Sequence, residues 1–308
     1  MRLLITGAGG FIGSRVVRAA RTDQSLRIRL MSHCTPVGPG ADQVVVADLT
    51  RPDTLRGVCD GVDAVIHCAS LIGGAEDECR SVNALGTRAL VAEAGRAEVR
   101  RMVYLSTAAV CGPGPFRRAG PSSVAVAPGS VTSRSRASAE SYVLAAGGTV
   151  VRPDLVYGRG DRHAVPGLVR LHRAVAARVD GWGSLLSFVD ADDLARVLLA
   201  AAVAPTDVSG VRHVNHPDPV PCSQIMEVLA TAFGLPPHRE DMDLATARAR
   251  IAGDARAVHH LDFVAYDRWF AGAEVWEELG CRPGEPFAAG FSRHIPWYRK
   301  ALDASGAL

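Results

Sequence analysis

Three glycines recur at three-residue spacing near the start of the chain, within Gly7-Ala8-Gly9-Gly10-Phe11-Ile12-Gly13. They follow the strand-like run Leu3-Leu4-Ile5-Thr6 and lead into an amphipathic stretch, an order that predicts a strand, a tight turn and a helix N-terminus. Glycine suits that place because the backbone must turn sharply, approach a pyrophosphate closely and let the helix pack against the strand. The first helical amides then face an anion, with Phe11 and Ile12 forming the middle of the cradle. The chemistry predicted from this spacing is dinucleotide binding.

In NAD-preferring proteins an acidic residue at the end of the second strand takes the ribose 2′-hydroxyl. Here the predicted second strand ends in Ser32-His33-Cys34. With no carboxylate there to repel a 2′-phosphate, Ser32 and His33, helped by Arg15 or Arg29, are expected to hold one, and the expected cofactor is NADP(H). Asp48-Leu49, after the third strand, should reach the adenine, and Cys68-Ala69-Ser70, after the fourth, should line the ribose and diphosphate.

Strands predicted at 2–6, 27–32, 43–47, 63–67, 101–106 and 148–152 alternate with helices near 12–21, 52–58, 76–97 and 132–146. That alternation implies an α/β fold, a Rossmann-type doubly wound parallel sheet. After Tyr157 the pattern loosens into helices near 164–178, 191–203, 222–233 and 268–279. The expected organisation is a dinucleotide-binding domain over residues 1–157 and a smaller, mostly helical C-terminal substrate-binding lobe over 158–308. Residues 111–131, rich in Gly, Pro and Ser, read as one long loop after a strand end, where ligands bind in such sheets.

Composition narrows the partners. With 48% hydrophobic and 21% charged residues, the 308-residue chain reads as globular, and no 18-residue uncharged apolar run suggests a membrane span. The strand-like start leaves no room for a signal peptide, so a cytoplasmic protein is expected. A net charge of +2, dispersed along the chain, gives no footprint for nucleic acid. Seven scattered cysteines without C-x-x-C spacing, and ten histidines without H-E-x-x-H, predict no metal site. A small-molecule substrate and a monomer or homodimer are expected.

The T-G-x-x-G-x-x-G spacing is accompanied by His67-Cys68-Ala69, Asn83-Ala84-Leu85-Gly86-Thr87, Leu105-Ser106-Thr107, Val151-Arg152-Pro153, Phe188-Val189-Asp190-Ala191-Asp192-Asp193 and Trp297-Tyr298. Together these resemble the extended short-chain dehydrogenase/reductases, the NAD-dependent epimerase/dehydratase family. The resemblance implies a cofactor contact at Pro153 and chemistry resting on Ser/Thr, Tyr and Lys, the last two as Y-x-x-x-K. It places Thr107 at the Ser/Thr position. Aligned on the family's S-K-x-x-x-E, Thr132 stands where tyrosine is expected and Arg136 where lysine is expected.

No shifted alignment restores the motif. The five tyrosines are followed four residues later by Ala108, Ala146, Asp161, Phe270 and Leu302, and Lys300 is the only lysine. A threonine hydroxyl cannot ionise usefully, and arginine keeps its charge. The dehydratases' Asp-Glu pair after the threonine is replaced by Ala108 and Ala109, which with Tyr157 are expected to face substrate. Hydride delivery still needs mainly proximity and orientation. The expected function is therefore an atypical ketoreductase in which Thr107, Thr132 and Arg136 serve a bulky ketone, such as an aromatic polyketide antibiotic intermediate, that is protonated by itself or by water. This departure is similar to that of angucyclinone ketoreductases. The alternative is a non-catalytic protein that senses NADP(H).

Overall fold

The computed structural model of the chain describes residues 1–33, 42–206 and 208–304. Seven parallel strands form the main sheet: β1 (Arg2–Thr6), β2 (Arg27–Ser32), β3 (Gln43–Val46), β4 (Ala64–His67), β5 (Arg101–Leu105), β6 (Thr149–Arg152) and β7 (Gly210–His213). Their order is β3-β2-β1-β4-β5-β6-β7, so the direction of winding reverses between β1 and β4. That reversal opens a crevice at the carboxyl ends of the two strands, where doubly wound sheets bind their ligands.

Strand alternation decides which residues face which helices. Leu3, Ile5, Ala64, Ile66, Val103 and Leu105 point to one face, against Val16 and Val17 of helix α1 (Gly13–Ala20). Leu194 and Leu198, in a helix at Ala191–Val203, complete that layer. Leu4, Val65, Met102 and Tyr104 point to the opposite face. There they meet Leu90 of α2 (Gly86–Arg96) and Ala139 and Val143 of α3 (Val131–Ala145). The helix Ala191–Val203 is labelled α4.

Several expectations are corrected. The seventh strand and α4 both lie beyond residue 158 yet build the sheet domain, so the expected division between 1–157 and 158–308 is crossed twice. Residues 52–58 form only a short 3-10 turn, Pro52–Leu55. The helix expected at 268–279 is a strand, Arg268–Phe270, followed by a helix, Ala273–Glu278. That strand pairs with Phe116–Ala119, inside the stretch expected to be one loop. Within 76–97 the helix widens at Arg80–Leu85 before continuing as α2. The lobe has its own core, which includes Leu168, Phe188, Leu229 and Tyr298. Among the described residues, no helix is long and apolar enough to cross a membrane.

Helix α3 is fastened to the sheet by a buried ion pair. Arg152 of β6 donates through Nε to Glu140 Oε1 at 2.9 Å and through Nη2 to Oε2, while the Ser106 hydroxyl also donates to Oε1. Both charged side chains are 3% exposed. Removing one partner leaves the other buried and uncompensated, at a cost of about 3–5 kcal/mol. Glu140→Ala should therefore lower Tm by on the order of 10 °C. Calorimetry tests this, and a loss of stability below about 1 kcal/mol would refute the anchoring role.

Candidate active site

The glycine turn is shaped by close approaches. Gly7 has φ +67°, and a Cβ there would lie 2.7 Å from the Ala69 amide nitrogen. A Cβ on Gly13 would sit 2.0 Å from the Gly7 carbonyl oxygen. The Gly10 amide donates to that same carbonyl at 2.9 Å, closing the turn. Helix α1 begins without a side-chain cap, and its Ser14 and Arg15 amides donate to the Gly10 and Ile12 carbonyls at 3.1 and 2.9 Å. Phe11 lies against Gly160 and under the Arg15 guanidinium, 4.8 Å from its ring centroid. The cradle at Gly7, Gly10, Phe11, Ile12 and Gly13 thus has the form a diphosphate requires.

A one-way chain of hydrogen bonds holds the two strand ends of the crevice. The Ala69 amide donates to Thr6 Oγ1 at 3.2 Å, and Thr6 meets His67 Nδ1 at 2.6 Å. His67 Nε2 lies 2.9 Å from Thr87 Oγ1, and Thr87 donates to the Asn83 carbonyl. Because Thr87 spends its proton on that carbonyl, it must accept from His67, so Nε2 carries the hydrogen and Nδ1 accepts from Thr6. Burial, with the nearby charge of Arg136, lowers the His67 pKa to about 3, which keeps the ring neutral. Asn83 continues outward, joining both the amide and the carbonyl of Leu71 and the Ser135 hydroxyl.

The residues aligned on the family's catalytic positions lie on the turn after β5 and on α3. Thr107 caps the short turn Ala108–Cys111, and its Oγ1 accepts from the Ala109 amide at 3.1 Å, leaving its own proton to donate. The Thr132 hydroxyl, at the first turn of α3, accepts from the Gly73 amide at 3.1 Å. Arg136 is 7% exposed and donates through Nη2 to the Leu105 carbonyl, while its Nε has no protein partner. Ser70 Oγ is buried and likewise unpartnered. Two orphaned polar atoms beside a backbone cradle fit a dinucleotide that brings hydroxyls and phosphate oxygens. Cys68 is no nucleophile, since burial raises its thiol to about 12 despite the opposing pull of Arg136.

Other predicted positions separate into those placed at the site and those that are not. Pro153 follows β6, and its carbonyl accepts from the Ala108 amide at 2.8 Å. Leu49 packs beneath Gly86 of α2. Asp48 takes the Thr50 amide and hydroxyl on Oδ1, and its Oδ2 lies 3.3 Å from His33 Nε2. Those Thr50 hydrogen bonds hold the Asp48 carboxyl below its ordinary range. Ser32 ends β2 beside His33. Arg29 is committed elsewhere, to the Val58 and Asp60 carbonyls and to Gln43. Arg15 is bound to Asp192 and to the Phe11 and Arg159 carbonyls, so neither arginine is available for a 2′-phosphate.

Two substrate assignments are corrected. Ala108 is 0% exposed and packs with Val110, Ala119 and Phe270, so its methyl group meets core and not ligand. Tyr157 is buried among Phe188, Phe287, Phe291 and His294 in the lobe, where burial raises its pKa. Ala109 is half-buried at the turn. Asp190 caps α4 and also meets His294 at 2.7 Å and Arg293 at 2.8 Å. Burial alone would raise its pKa, but those partners hold it near 2. Among the described residues, no group of three or more His, Cys, Asp or Glu could hold a metal ion. Cys34 lies outside the described residues.

Spacing alone gave no sign of one feature, a cleft of about 400 Å³ that begins at Cys111, where the Thr107 turn ends. Its walls include the apolar side chains of Phe116, Ala119, Val124 and Ala127, with Arg117 and Ser123 as polar members. Arg117 is paired with Asp267 at 2.5 Å, and the Ser123 hydroxyl donates to the Gly120 carbonyl. The Gly/Pro/Ser-rich composition of 111–131 was the available signal for it.

Comparison with known proteins agrees with this geometry. The chain is 30% identical over 257 residues to a 2-alkyl-3-oxoalkanoate reductase of Stenotrophomonas maltophilia, covering 77% of each. It is 28% identical over 216 residues to a 4-hydroxy-2-methyl-3-oxo-4-farnesyl-3,4-dihydroquinoline-1-oxide ketoreductase of Stigmatella aurantiaca, covering 66% of this chain and 64% of that one. In fold it is similar to a UDP-glucuronic acid 4-epimerase from Bacillus cereus solved with NAD (TM-score 0.76, 17% identity, 98% and 99% coverage). A short-chain dehydrogenase/reductase superfamily protein from Agrobacterium tumefaciens, solved with bound NAD, superposes with a TM-score of 0.75 at 19% identity over the full length of both chains. Residues 3–215 match the NAD dependent epimerase/dehydratase family, and the chain belongs to it.

Proposed function

We propose that this protein is an NADPH-dependent ketoreductase acting on a bulky, uncharged aromatic ketone of the polyketide type. The observation that carries the reading is the cleft at the end of the Thr107 turn. Apolar side chains such as Phe116, Val124 and Ala127 share its lining with polar groups, and its one cation is already paired with Asp267. A sugar nucleotide would bring a diphosphate for which the lining offers no unpaired cation, whereas a neutral ring system needs none. The two relatives, named as a reductase of a 3-oxo compound and as a ketoreductase, support the same reaction class.

In this reading the glycine cradle binds the cofactor diphosphate, and Asp48 and Leu49 lie toward the adenine. Arg136, Ser70 and Pro153 lie toward the nicotinamide end. The nicotinamide supplies hydride. Thr107 donates a hydrogen bond to the substrate carbonyl and polarises it. Arg136 stabilises negative charge as it develops but gives up no proton. Thr132 shares its hydroxyl with the Gly73 amide, so it orients the loop over the site while keeping a proton to donate.

Two measurements test the reading. Ser32-His33, with no carboxylate at the end of β2, should make NADPH bind at least about tenfold more tightly than NADH, a difference of ~1.4 kcal/mol. Fluorescence titration with the two reduced cofactors decides it, and equal affinity or a preference for NADH refutes it. With a polycyclic phenolic ketone, Thr107→Val should lower kcat/KM roughly 100-fold while leaving NADPH affinity unchanged. Unchanged turnover in the variant removes Thr107 from the chemistry.

A further inference from the structure

Beside the Thr107 turn lies a second buried ion pair that the cofactor site does not use. Arg268 Nε donates to Asp154 Oδ1 at 2.9 Å, and both side chains are 0% exposed. Arg268 Nη1 donates to the Gly112 carbonyl at 2.6 Å, and the guanidinium lies 4.1 Å from the Phe263 ring centroid. The pair is only half made. In a guanidinium, Nε and Nη2 share the edge that grips a carboxylate with two parallel bonds, yet here Arg268 Nη2 and Asp154 Oδ2 are both buried without a partner. Both ring nitrogens of His213 and the Asn215 side-chain amide are also unpartnered. They are close by, because Asn215 Oδ1 accepts from the Asp154 amide at 2.9 Å and His213 stacks on Phe270 at 4.4 Å.

Buried polar groups are rarely left unmatched, and several unmatched groups at one place indicate ordered water. The place is informative. Asp154 directly follows Pro153, whose carbonyl holds the Ala108 amide, and Arg268 holds the Gly112 carbonyl. Pro153, the neighbour of Asp154, and Arg268 therefore hold the two ends of the turn that Thr107 opens. We propose that Asp154 holds the proton that the missing tyrosine would otherwise supply, and delivers it to the reduced carbonyl oxygen through water seated between Asp154 Oδ2 and Arg268 Nη2. The proposal rests on the ketoreductase reading.

The step balances. Hydride leaves the dihydronicotinamide with both electrons of its C–H bond and forms a C–H bond at the carbonyl carbon. The resulting alkoxide oxygen takes one proton. Asp154 passes from acid to carboxylate and is recharged from solvent, so each turnover consumes one ketone, one reduced nicotinamide and one proton.

The electrostatics are consistent with a proton store. Burial raises the Asp154 carboxyl to about 6, although Arg268 opposes the shift. His213 is held neutral, with burial and then the Arg152 charge lowering it to about 4. Charged or titratable groups facing this region include Arg152 and Cys111, which meet at 3.8 Å, Glu140, which is already paired with Arg152, and His259, on the helix that carries Phe263, where burial lowers its pKa and Arg268 adds to the shift. Because the folded pKa exceeds the ordinary 3.8, the stability linked to this proton is complete below that value and is lost as pH rises through about 6. Keeping the carboxyl buried at neutral pH therefore costs stability, which a proton-delivery role would explain.

Infrared spectroscopy of the cofactor-free protein carrying 13C-labelled aspartate should show a protonated carboxyl band that titrates near pH 6. The band should be absent in Asp154→Asn. Its absence from the wild type overturns the proposal without reference to any variant. With NADPH and a ketone that the wild type reduces, kcat should fall as pH rises above about 6. Asp154→Asn should lose roughly 100-fold in kcat and the pH dependence, with KM and NADPH affinity kept. Wild-type kcat in that variant overturns the delivery role even where the band is present. If the wild type binds NADPH but reduces no ketone, the ketoreductase reading fails and delivery falls with it, while the infrared titration still decides whether Asp154 stores the proton.

Discussion

The Glu140–Arg152 pair is the constraint from which the geometry of the site follows. Thr132, Arg136 and Glu140 are spaced four residues apart on α3 and therefore share one helix face. Glu140, nearest the end of the helix, is locked to β6 through Arg152 and to the end of β5 through Ser106. Arg136, one turn earlier, reaches the Leu105 carbonyl, and Thr132, another turn earlier, meets the loop at Gly73. Two charges buried this deeply are tolerated only when their hydrogen bonds are nearly complete, which makes the position of the helix effectively single-valued. That rigidity places a cation beneath the crevice between β1 and β4, whatever happens at the open end.

The consequence is a site with positive charge and no ordinary acid. Arg136 keeps its proton, His67 is neutral and committed at both nitrogens, and the Cys68 thiol is pushed too high to ionise. A lysine at position 136 could shift its pKa and take part in proton traffic, but an arginine only fixes a field. The threonine at 132 compounds this, since its hydroxyl is tied to a backbone amide. In the proposed reaction, charge stabilisation and proton supply, which the family's usual tyrosine and lysine combine, are separated in space.

What the sequence made legible was whatever depends on local sterics. The glycine turn could be read because Gly7 and Gly13 meet backbone atoms that no side chain could approach, and six of the seven main-sheet strands showed their apolar runs. The seventh, Gly-Val-Arg-His, is short, starts with glycine and carries two basic residues, so it has no strand pattern of its own and forms by pairing with β6. The segment 268–279 misled for a related reason: Arg268 is strand-forming only because it pairs with Phe116–Ala119 and meets Asp154. Burial was the other blind spot. Ala108 and Tyr157 stand beside motif residues in the chain, yet local register turns both toward packed cores. Arg15 and Arg29 looked available because most of the groups that hold them, Asp192 and the Arg159, Val58 and Asp60 carbonyls, come from distant parts of the chain.

These long-range pairings also govern how the cleft beside the Thr107 turn relates to the glycine turn. The strand Phe116–Ala119 leaves the sheet domain four residues after Gly112 and joins a small sheet with Arg268–Phe270, Leu185–Leu186 and Val220–Pro221 of the lobe. Meanwhile β7 and α4 return from the lobe side to complete the main sheet. The connection is thus reciprocal, with each part of the molecule completing a sheet or layer of the other. A lobe joined by one linker would be free to rock about it, whereas here rocking would break strand pairing at Phe116–Ala119. The cleft wall and the Thr107 turn are therefore held at a fixed separation. For an enzyme that lacks its usual acid, such pre-organisation supplies the proximity and orientation on which hydride transfer mainly depends.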